Sequence, residues 1–231
     1  KTGITRVYGH ALMRNIGEQD TLYLTADTLV SMQNKVDSTR KLYAYKNVLL
    51  FKSDFSGKCD SLGYDTKDSV IHFYQKPLLW TNDSQLQADS VSMYMTNQKM
   101  REMRLRGHSF VISKDSASHY NQIKGRKMWV FFADDSRLKK VQVDGNGESV
   151  YYVVDDKKNT TGLNRVECSR MNLFFQENKI NKISFITKPE AKFVPPKEWK
   201  EELEYLDGFN WRSKEKITLP MVLERVQQTP T

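Results

Sequence analysis

Leu86-Gln87-Ala88-Asp89-Ser90-Val91-Ser92-Met93-Tyr94-Met95 alternates with a period of two from Asp89 onward. Val91, Met93 and Met95 share one parity, and Ser90, Ser92 and Tyr94 share the other. Successive side chains of a strand point to opposite faces, so this is the pattern of a half-buried strand rather than a helix. The phrase recurs. Thr25-Ala26-Asp27-Thr28-Leu29 and Lys58-Cys59-Asp60-Ser61-Leu62-Gly63-Tyr64 precede it; Gly125 to Phe132 and Cys168 to Phe175 follow as looser copies. Aligned on Asp27, Asp60, Asp89, Arg126 and Ser169, the copies step by 33, 29, 37 and 43 residues. Two positions further on, the residue is Leu29, Leu62, Val91, Met128 or Met171, always apolar. A phrase kept in register through such steps marks a repeat protein, whose units bury their apolar faces only by stacking on one another.

A second phrase follows each strand: Val7 to Met13, Tyr45 to Phe51, Tyr74 to Trp80, Leu105 to Val111, Val143 to Val150 and Ile186 to Phe193. In each, an apolar run meets Gly, Asn, Lys or Pro and then resumes. That is a sharp bend, where a kink or a lost ladder donor is tolerated. One repeat therefore reads strand, polar turn, strand, corner, strand, with the aligned Asp, Arg or Ser as a strand-start residue. Hairpin turns are expected at 34–38, 66–69, 96–99, 134–136 and 176–179, and a solvated loop at 155–162. The expected fold is all-β: an elongated sheet folded over on itself, with repeats over 1–195. Residues 196–231 are expected to form a C-terminal cap and tail. Pro195-Pro196 ends the repeats, a helix is predicted over Lys197–Leu206 to cover the last sheet edge, and a loose tail follows Pro220.

The aligned positions predict interior ladders. They are Leu29, Leu62, Val91, Met128 and Met171; then Tyr64, Met93, Val130 and Leu173; then Met95, Phe132 and Phe175. Methionine in such a ladder suits either a packed core or an adaptable surface for ligands of varied shape. The net charge of +8 favours an anionic partner without choosing among nucleic acid, lipid head group and acidic polysaccharide. Cys59 and Cys168 hold equivalent places three repeats apart, at least roughly 14 Å on strand spacing, too far for a disulfide.

At these phrases the chain resembles the LptA/OstA family of lipopolysaccharide-transport proteins, most of all its longer OstA-like members from Bacteroidetes. The residues that carry the resemblance are Ala88 to Tyr94, Lys76-Pro77-Leu78-Leu79-Trp80, Gly63-Tyr64-Asp65, Asn164 to Met171 and Phe185 to Ala191. It spans residues 4 to 195. It implies a twisted β-jellyroll of V-shaped rungs that holds lipid A acyl chains inside the V, with the interior ladders as lipid-binding residues. It also implies a periplasmic location after removal of a signal peptide, and association with other Lpt-type proteins, or with further copies, by end-to-end strand addition. Arg101, Arg104, Arg106, Lys124, Arg126 and Lys127 are then candidates to meet lipid A phosphates at the groove rim, arginine being suited to bidentate contact.

Catalytic signatures are missing: no phosphate-binding glycine loop, nucleophile elbow, His-Glu-x-x-His or Cys-x-x-Cys occurs. His10 and His108 share a corner position, which points to a structural role. Asp27, Asp60 and Asp89 give way to Arg126 and Ser169, which disfavours a carboxylate site. The expectation is a non-enzymatic lipopolysaccharide-binding and transport protein needing no cofactor or metal. A β-scaffold that recruits partners by edge-strand addition is the alternative, and nucleic acid is not an expected partner.

Overall fold

The computed structural model describes residues 2–227 except 18, 19, 35, 37, 82, 98, 115–118, 136, 156, 158, 177, 178 and 188. Its strands are β1 (Thr2–Ile16), β2 (Thr21–Asn34), β3 (Arg40–Lys52), β4 (Phe55–Asp65), β5 (Val70–Tyr74), β6 (Leu78–Thr81) and β7 (Ser84–Gln87). They continue as β8 (Ser90–Thr96), β9 (Lys99–Lys114), β10 (Tyr120–Phe132), β11 (Leu138–Val154), β12 (Thr160–Gln176), β13 (Lys179–Ile186) and β14 (Glu190–Val194). All pair antiparallel in one sheet. Strands β5 and β6, β7 and β8, and β13 and β14 are each one strand interrupted at a corner, with Pro77 and Pro189 in two of the gaps. The chain is thus a meander of bent strands, each crossing both limbs of a V.

The bend has a repeated cause. Residues of left-handed backbone sit at Gly9-His10, Lys46-Asn47, Gln75-Lys76, Gly107-His108 and Gly145-Asn146, with Thr187 at the last corner. Pairing shifts at the same points, between Tyr8 and Ala11, Tyr45 and Val48, and Asp144 and Gly147. Extra residues on one strand of a pair bend it and tighten its twist. The neighbouring strand presents the aligned residue to each bulge. Asp27 accepts from Asn47 Nδ2 at 3.0 Å, and Asp89 faces His108 Nδ1 at 2.9 Å. These aligned residues are therefore corner residues: Asp27 lies inside β2 and Asp60 inside β4, not at strand starts.

The first limb carries the quoted alternating phrase; the second carries the segments after the corners. Residues 66–69 turn between β4 and β5 as expected. The turns expected around 34–38, 96–99, 134–136 and 176–179 each include residues outside the described set. The loop expected over 155–162 is shorter, because β12 begins at Thr160; residues 156 and 158 lie outside the described set.

The C-terminal segment differs from expectation. In place of a helix over Lys197–Leu206 there is a 3₁₀ turn at Pro196–Glu198 and a single turn, α1 (Glu201–Glu204). In place of a loose tail, α2 spans Leu219–Gln227. Nor does the segment cover the last edge. It runs back as a strap over the outer face of the second limb, from the last strands to the first. Leu206, Trp199, Leu203, Phe209 and Trp211 pack with Phe110, Ile112, Val150, Tyr152, Leu163 and Val194. Ile217 and Val222 pack with Leu78, Trp80, Leu12, Leu49 and Phe51. The second limb is apolar on both faces, so a cover over its broad outer face buries far more apolar surface than a plug on its edge. Both ends of the sheet stay open. Among the described residues, nothing pairs with the free sides of β1, β13 or β14.

Candidate functional site: the interior and mouth of the V

One row of side chains crosses the whole first limb in register: Val7, Leu29, Ala44, Leu62, Phe73, Val91, Leu105, Met128, Val143, Met171 and Phe185. The next row toward the tip includes Leu42, Tyr64, Ile71, Met93, Met103, Val130, Val141 and Leu173. Met95, Phe132 and Phe175 follow. Every residue of the predicted ladders lies in, or packs against, a single core cluster inside the V. Facing them from the second limb are Leu24, Leu50, Leu79, Leu86, Val111 and Ile123. Repeats aligned on the first limb alone do not reveal this second wall. The same alternation marks it nonetheless, with Leu22 and Leu24 of one parity on β2 and Val48 and Leu50 of one parity on β3.

The apex of the V is lined by the small residues that precede each aligned position: Ala26, Cys59, Ala88, Gly125 and Cys168. A Cβ on Gly125 would come within 2.3 Å of Val143 Cγ1, so the fold closes here with no room to spare. Cys59 and Cys168 donate from Sγ to the carbonyls of Ser61 and Arg170 at 3.2 and 3.1 Å, the same local geometry twice. Both are free thiols, six strands apart. Burial pushes the Cys59 thiol up to about 12 and raises that of Cys168.

Along most of its length the interior is filled: Met128, Met171, Val130 and Leu173 are fully buried. It opens toward the first strands. There the tips of the two limbs leave a cavity of about 90 Å³ lined by Leu22, Phe55, Tyr64, Ile71, Met93, Met95 and Met100. Its rim is polar, with Asn15, Asp20, Lys52, Asp54 and Ser69. Lys52 Nζ bridges Asp54 at 2.8 Å and Asp20 at 3.7 Å. Burial works to raise the Asp20 carboxyl, but Ser53, the Thr21 amide and Lys52 outweigh it and hold it below the usual range. At the first edge the interior row is open: Val7 is 48% exposed. Leu22, Phe55, Ile71 and Met100, with the polar rim, are the residues that sequence reasoning missed.

The basic candidates are not gathered at this mouth. Arg104, Arg106 and Lys127 share the outward parity of the first limb, with Arg104 stacked over Tyr94 and paired with Glu102. Lys124 lies on the outer face of the second limb, within 3.5 Å of Glu148 and of Asp207 in the strap. Arg126 is a corner residue beside Gly145. Arg101 follows Met100 of the mouth lining but pairs with Asp134. Strand parity turns Arg104, Arg106 and Lys127 outward, and among the described residues lining the opening Lys52 is the cation.

Residues 16–99 match the family model described as LptA/(LptD N-terminal domain) LPS transport protein. This segment is similar to that family. It contains β2 to β8 and every residue of the mouth except Asn15 and Met100. The family is described by lipopolysaccharide transport. No curated protein matches the chain. The all-β V-shaped architecture agrees with the expected fold class.

Proposed function

We propose that the chain is a non-enzymatic periplasmic carrier for lipopolysaccharide, with acyl chains of lipid A entering between the limbs at the mouth. The observation that carries this reading is the mouth itself, an apolar, methionine-rich opening with a polar rim, all but Asn15 and Met100 of it within the segment matched to the transport family. Met93, Met95 and Met100 are unbranched and polarizable, so they yield to chains of different length and shape. The rest of the interior ladder supports the same role if the limbs part further when lipid is bound. Lys52 takes the place of the arginines as the rim cation. The open edges, with exposed Val7 and Tyr8 at one end and Ile186 and Phe193 at the other, are surfaces for neighbouring transport proteins or further copies to add strand to strand.

The test is photocrosslinking of lipid A from a photoreactive residue at Met95, inside the mouth, against one at Gln142, on the outer face of the first limb. Crosslinking at 95 and not at 142 is expected, with loss of the one-to-one lipid adduct in native mass spectrometry on Met95→Asp. Equal crosslinking at both positions would overturn the interior reading. Oligomers without any lipid adduct would favour the edge-pairing scaffold instead.

A further inference from the structure

The strap covers the outer face of the second limb; among the described residues nothing covers that of the first. On this bare face a trench runs along β4. Its walls are Tyr43 and Tyr45 on β3, and His72 and Tyr74 on β5. Its floor is Gly63, opposite Tyr43 and His72, and Ser61, opposite Tyr45 and Tyr74. The paired rings of each wall are nearly parallel: Tyr43 and Tyr45 at 17°, with centroids 6.3 Å apart, and His72 and Tyr74 at 28°, 6.2 Å apart. Tyr45 and Tyr74 are 46% and 45% exposed. At the tip the trench ends in the Lys41–Asp65 pair, 3.0 Å apart, and Asp68. The part of the trench nearest the tip, bounded by Tyr43, Gly63, His72, Tyr74 and Tyr94 with Lys41, is an open depression of about 510 Å³, in the range of roughly 300–1,000 Å³ for small-ligand sites.

Gly63 is the telling residue. A glycine inside a strand weakens it, and one reason to find it there is close approach of a ligand. Gly57, Gly125, Gly147 and Gly162 have packing reasons, since a Cβ on any of them would come within 2.9 Å of a neighbour, and Gly9, Gly107 and Gly145 take left-handed backbone at corners. A Cβ on Gly63 would meet only Tyr43, at 3.5 Å, an ordinary contact. Packing leaves room for a side chain on this floor, and the chain has none.

We propose that this trench is a saccharide subsite. A pyranose ring has apolar C–H faces that lie against aromatic rings, and a rim of hydroxyls that exchange hydrogen bonds with groups such as Lys41, Asp65 and the tyrosine hydroxyls. The inference rests on the carrier reading. Tyr64 lines the mouth on the inner side of the same tip whose outer side is the trench, and Ser69 and Asp68 of one turn border the two cavities. A glycolipid would straddle this rim, chains inward and sugars outward.

The test is calorimetric titration of the whole chain with fully deacylated lipopolysaccharide, alongside the crosslink of lipid A at position 95. Wild type is expected to bind the saccharide, Gly63→Val to weaken it at least tenfold while remaining folded, and Met95→Asp to bind it as wild type does. No saccharide binding by wild type, or equal binding by Gly63→Val, would overturn the subsite while the crosslink at 95 upholds the carrier reading. Loss of that crosslink with saccharide binding intact would sink the carrier reading alone. A proline-rich peptide that binds the trench where the saccharide does not would also overturn the assignment, since such peptides dock aromatic grooves.

Discussion

Leu206 donates its backbone N–H to Gln122 Oε1 at 2.8 Å, and both residues are buried. The same side chain donates from Nε2 to Glu204 O at 2.7 Å, so one amide reads two backbone groups of the strap as a neighbouring strand would. Gln85 repeats the grip six residues on, donating to Asn210 O at 2.7 Å and accepting from Arg212 N at 2.8 Å. Gln122→Ala strands a carbonyl and an amide in an apolar setting, at a cost of about 2 kcal/mol. Urea unfolding should show that loss for either Gln→Ala variant, with faster amide exchange over 199–212 ahead of the sheet. Unchanged stability in both would mean that apolar packing alone holds the strap.

Gly107 answers to the corner rather than to a ligand. Its φ is +72°, and a Cβ there would stand 2.1 Å from Asp89 Oδ2. Gly107→Ala combines left-handed strain with a displaced carboxylate, and should cost about 1–3 kcal/mol. Adding Asp89→Ala should recover the steric part but not the backbone part. A double-mutant cycle with a coupling of about 1 kcal/mol is the expected result; simple additivity would mean that the corner rearranges.

The cysteines give a test of apex closure. A thiolate is the reactive form, and burial pushes Cys59 up to about 12. Neither Cys59 nor Cys168 should alkylate at about pH 8, near the ordinary thiol value, in the folded chain, and both should react at once in denaturant. Rapid labelling of Cys59 without denaturant would show that the V opens to its apex.

Much of this architecture was legible because repetition multiplies a weak signal. A single alternating phrase fits many folds, but Leu29, Leu62, Val91, Met128 and Met171 at matched places fix a common inner face, and the structure puts them there. The corners were legible for the same reason. What repetition could not convey is which face of a limb is covered. Leu49, Leu78 and Phe110 alternate with inner-facing residues, so the second limb reads as evenly apolar, and only packing reveals the strap above it. The cation cluster misled for a related reason. Arg104, Arg106 and Lys127 are close in sequence, but their parity is that of Ser92, not Met93. The trench was hidden because its walls come from β3 and β5, on either side of β4, and its floor is a missing side chain.

Glu215 provides a test of the strap in acid. Its carboxylate is held by Arg212, with Nε–Oε1 at 2.5 Å, and by Lys58 of β4 at 2.5 Å. First Arg212 and then Lys58 depress its pKa from 4.5 to about 2. A depressed carboxyl stabilises the fold fully above its unfolded value, and that contribution disappears as pH falls through the folded value. The relevant window is therefore pH 4.5 down to about 2. The side chain is 37% exposed, so solvent screening keeps the effect within the range of surface pairs, below about 1 kcal/mol. Thermal unfolding of wild type against Glu215→Gln should converge as pH falls through that window and separate above it, with the gap narrowing in high salt. Parallel pH profiles would show that Lys58 and Arg212 gain nothing from this carboxylate, and that the strap crosses β4 by apolar contact alone.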